Sequence, residues 1–196
     1  PILFKLMNRL SSALRGNDSA VEMGRRVRFA RACEVKVEKN ASIRFGDDVK
    51  LRSGCILQVA KGARLELSES VEVRNYAIIE CGGKVSVGKR SVIGAYNWLQ
   101  GSGEIEIGED VIIGPGVRII STTHDLSDPG LVFAALPLIN KSVRIGSNVW
   151  IGANAVTLAG LGPALGAGLA VAHQHYLLAL ALIVPTRLHD GLAGPE

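Results

Sequence analysis

His124 is the first histidine in a chain of 196 residues, and the next is His173. It stands in Ser-Thr-Thr-His-Asp. Imidazole has an ordinary pKa near ~6.5, so it can take a proton from a hydroxyl near neutral pH. General base is therefore the role this residue offers. Asp125 follows directly and could orient a ring nitrogen, although neighbours on an extended segment point apart. Cys33, Cys55 and Cys81 lie in no nucleophile motif, so nothing indicates a covalent intermediate. Three cysteines without a Cys-x-x-Cys pair argue against a disulfide scaffold and for a reducing compartment, the cytoplasm. His173-x-His175 supplies two metal ligands without a third. No metal is expected.

These residues need a scaffold, and composition narrows it. A net charge of +4 with 20% charged residues is too small a surplus to argue for nucleic acid. Aromatics at 5% also disfavour a stacking platform for single strands. Hydrophobic content of 47% excludes a disordered chain. The 23 glycines exceed the usual ~7% and show no Gly-x-y triplet, so turns must account for them.

A repeat supplies the turns. An aliphatic or aromatic residue is followed six positions later by another aliphatic in Phe45/Leu51, Leu67/Val73, Val87/Ile93, Ile107/Ile113 and Ile145/Ile151. Glycine follows the leading residue at Gly46, Gly88, Gly108 and Gly146, with Ser68 the exception. Compact residues recur four positions on, among them Val49, Cys55, Ala77, Ser91, Asn97 and Ala155. The leading positions are 22, 20, 20 and 38 residues apart. The last interval is one turn plus an excursion between Ser121 and Ser142. A weaker turn covers about 27–44. A period of six excludes an amphipathic helix. Short strands with one inward aliphatic, joined at corners, predict a stacked β-helix. Glycine is expected at the corners because left-handed backbone costs it least. Asn97 is the one amide at an inward small position and must find a partner there, such as the corner above.

Residues 27–160 resemble the hexapeptide-repeat acyltransferases, in particular the sugar and polysaccharide O-acetyltransferases. The stretch IGEDVIIGPGVRIISTTHDLSDP followed by VRIGSNVWIGANAVTLAG carries the likeness. The resemblance implies an all-β, single-stranded left-handed parallel β-helix with a protruding loop at about 121–142. It implies acetyl transfer from acetyl-CoA to a hydroxyl of a sugar or polysaccharide precursor, with His124 as general base in a direct sequential step. Asn97 would contact the acceptor. Where the family often has an aspartate soon after that asparagine, Leu99-Gln100-Gly101 stands here, and Gln100 is the candidate replacement. Asp125 completes the substrate-binding candidates. Trp150, Gly152 and Ala153 of NVWIGA would border the groove for the pantetheine arm of CoA. The family also implies a homotrimer with sites between subunits, reached by the apolar run 131–136. An acyl carrier protein as donor, or a degenerate non-catalytic copy, are the alternatives. A γ-type carbonic anhydrase would need three histidines on the helix, and only His124 is there.

The ends depart from the pattern. Residues 1–26 form the N-terminal segment, where Ile2, Leu3, Leu6, Met7, Leu10 and Leu14 fall near helical spacing. A packed helix is expected, or one lying on a membrane surface through Lys5, Arg9 and Arg15. Lys5 and Arg9 interrupt it as a signal peptide. Residues 161–196 hold only Arg187, Asp190 and Glu196 as charges and lose the repeat. This anomalous tail reads as a capping helix or irregular segment, a poor membrane span, or a frame-shifted translation.

Overall fold

The computed structural model describes residues 19–125, 127 and 132–158, with the short antiparallel strands Leu169–Ala170 and Leu182–Ile183. The expected helix within 1–18, the readings of the tail and the His173-x-His175 pair lie outside the described residues.

Three parallel six-stranded sheets form the faces of a left-handed β-helix. The first face runs Ala20–Met23, Ser42–Phe45, Arg64–Leu67, Lys84–Val87, Glu104–Ile107 and Val143–Ile145. Two-residue strands, such as Val92–Ile93 and Trp150–Ile151, make the second face. Glu34–Val37, Ile56–Val59, Ile78–Cys81, Trp98–Gly101, Arg118–Ile120 and Val156–Leu158 make the third. Strands pair in strict register with their equivalents one coil away, as Val85 does with Leu65 and Ile105. The first strand, Ala20–Met23, already pairs with Ser42–Phe45. The β-helix therefore begins inside the segment assigned to 1–26, because Val21 and Met23 alternate as strand residues do.

Every aliphatic of the repeat, from Phe45 and Leu51 to Ile145 and Ile151, is buried in one continuous core. The compact positions are buried with them, including Cys55, Ala77, Ser91 and Asn97. Opposite charges meet along the first face. Arg44 bridges Glu22 at 2.7 Å and Glu66 at 3.6 Å, and Lys84 meets Glu104 at 3.2 Å. Such exposed pairs select register more than they add stability.

Gly54, Gly62 and Gly116 take left-handed backbone as expected, but the glycines that follow the leading residues do not. Left-handed backbone falls two residues after the leading glycine, on Asp48, Arg90, Asp110 and Asn148, all near φ +57° to +60°. The leading glycines serve another need. A Cβ on Gly88 would lie 2.4 Å from the Gly108 carbonyl carbon, and one on Gly46 would lie 2.5 Å from the Glu69 nitrogen. Successive coils approach too closely there for any side chain.

Candidate active site

The described residues of the excursion at 121–142 include an antiparallel arm. Thr122–His124 pairs with Leu138–Asn140, in the register Thr122 to Asn140 and His124 to Leu138. Ser121 roots it. Its Oγ donates to the Gln100 carbonyl at 3.1 Å and accepts the Gly103 N–H at 2.9 Å. Its carbonyl accepts the Lys141 N–H at 2.9 Å. A side chain on Gly103 would strike the Lys141 and Ser121 carbonyl oxygens, at 2.8 and 2.9 Å, so glycine is required beneath the root. Thr122 Oγ1 donates to Asn140 Oδ1 at 3.0 Å and closes the first rung.

His124 is exposed at the outer end of its strand. Its Nδ1 lies 3.1 Å from the carbonyl oxygen of Leu136, whose side chain is buried. A carbonyl can only accept, so this pairing assigns the proton to Nδ1 and leaves the lone pair on Nε2. Sequence reasoning missed Leu136. Its part is played by a backbone atom twelve residues away, visible only once the arm is paired. The β-branched Thr123, with Ile139 opposite it, was the available signal for that pairing.

Asp125 does not orient the ring. Its N–H donates to the Pro137 carbonyl at 2.8 Å, and its Oδ1 accepts the Ser127 N–H at 3.0 Å. The carboxylate thus closes a local Asx turn. Asn97 lies inside the β-helix, 1% exposed, with Oδ1 accepting the Val117 N–H at 2.7 Å. It is the buried amide bonded to the corner above, and its side chain does not face an acceptor. Ser91 does the same one face earlier, accepting the Val111 N–H at 3.0 Å. Gln100 faces outward on the third face, with Nε2 donating to Ser102 Oγ at 3.3 Å. It shares the arm's corner.

Trp150 is 55% exposed on the second face, in line with Ile112. Ala153 is exposed and Gly152 buried where the chain turns towards the third face. Gly114, one coil below, is the glycine that this corner requires. A Cβ on it would come within 3.0 Å of the Gly152 carbonyl carbon. The arm leaves the corner between the third and first faces. The second face is opposite that corner. One chain therefore brings Gln100 to the His124 arm and holds Trp150, Gly152 and Ala153 away from it.

No family model matches the sequence, and no curated protein is similar to it at a significant level. Among solved structures, the polySia-specific acetyltransferase NeuO is similar at 20% identity, over 85% of this chain and 78% of that one, with a TM-score of 0.44. A single-substitution mutant of AntD, an N-acyltransferase from Bacillus cereus in complex with dTDP and coenzyme A, is similar at 16% identity, over 92% of this chain and 89% of that one, with a TM-score of 0.48.

Proposed function

We propose that the chain is an O-acetyltransferase that moves the acetyl group of acetyl-CoA to a hydroxyl of a sugar or polysaccharide precursor. One observation carries this reading: the exposed imidazole of His124 is held through Nδ1 by the Leu136 carbonyl, 3.1 Å away. Nε2 is then the basic atom, on the open side of the ring. It takes the proton of the acceptor hydroxyl while the oxygen attacks the thioester carbonyl. The tetrahedral intermediate collapses, the carbon–sulfur bond breaks, and the imidazolium returns its proton to the departing thiolate. A positioned base of this kind contributes typically ~10²–10⁴-fold in rate.

The donor would lie along Trp150, Gly152 and Ala153 of a neighbouring copy, since in one chain these face away from His124. A cyclic homotrimer satisfies that need. Val132 and Leu138 on the arm are exposed at 72% and 66%, and Ile112 and Trp150 give the next copy an apolar surface to receive them. Thiol release from acetyl-CoA, measured with a panel of sugars for wild type and His124→Ala, tests the reading. Release that depends on both sugar and His124 is expected. Equal rates in the two proteins would remove His124 from the mechanism.

A further inference from the structure

Below the arm, the third face carries a polar ladder. Lys36, Gln58, Glu80 and Gln100 stand in register on successive coils, all facing outward. Three steps of ~4.8 Å make it about 14 Å long. A groove of about 200 Å³ follows this ladder and is lined by Lys36, Glu38, Gln58, Glu80, Gly82 and Ser102 among others. Ser102 at its upper end holds the Gln100 amide, and the Gln100 carbonyl holds the root of the arm. His124 lies three residues beyond Ser121, about 10 Å along an extended strand.

The groove's chemistry is that of a hydroxyl binder. Glu80 gives one oxygen to the Trp98 indole N–H, at 3.0 Å, and keeps the other for a donor. The charge balance selects against anions. Lys36 is paired with Glu34 at 2.9 Å, while Glu38 and Glu80 are carboxylates.

We propose that this groove takes the acceptor as a neutral, chain-like glycan lying parallel to the β-helix axis, with Gln58 and Glu80 as specificity-determining residues and the reacting end at the arm. The proposal rests on the acyl-transfer reading above. It adds that the acceptor is an oligomer and that length is read by the ladder.

Calorimetric titration without acyl donor tests it, using the full chain and di- to hexasaccharides of four neutral series: gluco-, galacto-, manno- and N-acetylglucosamine-based. In at least one series the hexasaccharide is expected to bind at least tenfold more tightly than the disaccharide. Gln58→Ala combined with Glu80→Gln should abolish that ratio, so that hexasaccharide and disaccharide bind the variant equally. Both positions lie on the outer face of their strands, so the fold, checked by circular dichroism, should be retained. Equal affinity at all lengths in every series overturns the proposal, as does a length effect that survives the double substitution. If the wild type still releases thiol with short sugars, the groove alone has failed. If no sugar supports release, the transfer reading has failed.

Discussion

Gly88→Ala isolates what holds the corners together. The added Cβ would sit 2.4 Å from the Gly108 carbonyl carbon, 2.5 Å from its oxygen and 2.6 Å from the Glu109 nitrogen. All three are backbone atoms, so no rotamer can yield. Reaching an ordinary contact of ~3.5 Å requires the coils to part by about 1 Å. That stretches the Gly88 N–H bond to the Ile107 carbonyl, now 2.7 Å. Overpacking costs ~1–3 kcal/mol and each weakened hydrogen bond about 1 kcal/mol. Alanine returns ~0.4–1 kcal/mol through the unfolded chain. The net loss is roughly 1–3.5 kcal/mol. Gly62→Ala is the matched control, because Gly62 has φ +75° and nothing within 4 Å of its Cβ position. Strain of ~1–2 kcal/mol, less the same return, leaves about 0–1.5 kcal/mol. Urea denaturation followed by circular dichroism separates the two. If Gly88→Ala costs no more than Gly62→Ala, close approach is not why glycine stands at position 88.

Asn97→Ala should cost about 1–3 kcal/mol by stranding the Val117 amide and leave the acceptor KM unchanged, as denaturation and steady-state kinetics will report. Asp110→Asn should flatten the acid side of the stability curve. The Arg90 side chain, bonded to Asp110 at 2.6 Å, holds that carboxyl below its usual range, so its stabilisation is present above about pH 4 and fades as pH falls through the lowered value. Equal acid transitions in the two proteins would refute this. Alkylation near pH 7.5 should label Cys33 first. Cys33 is half-buried, and the Cys55 thiol beside it pulls its pKa down to about 7, while burial pushes Cys81 up to about 11 and leaves Cys55 inaccessible. Mass spectrometry over time gives the order, and Cys81 reacting first would contradict it.

The six-residue period was legible because burial acts on single side chains. Phe45, Leu67, Val87, Ile107 and Ile145 must all point inward, and all do. The excursion was legible because the 38-residue interval exceeds one coil. The cause of the corner glycines was not. Gly88 depends on Gly108, a residue twenty positions away whose backbone distance no local pattern encodes. The same holds for His124, whose partner is a main-chain oxygen across a hairpin. Asn97 could be read in two ways because an inward amide and an acceptor ligand use the same residue type. Only the Val117 amide above it decides. The early coil at Ala20–Met23 escaped although Met23-Gly24 fits the leading pattern, because the leucine-rich run before it draws the whole segment towards a helical reading.

The central claim is that the arm presents His124 with its proton on Nδ1 and its lone pair on Nε2. Long-range proton–nitrogen NMR of histidine-labelled protein at pH 8, assigned by comparison with His124→Ala, measures this directly. The account predicts a protonated Nδ1 and an unprotonated Nε2. A His124 ring protonated on Nε2 would contradict it.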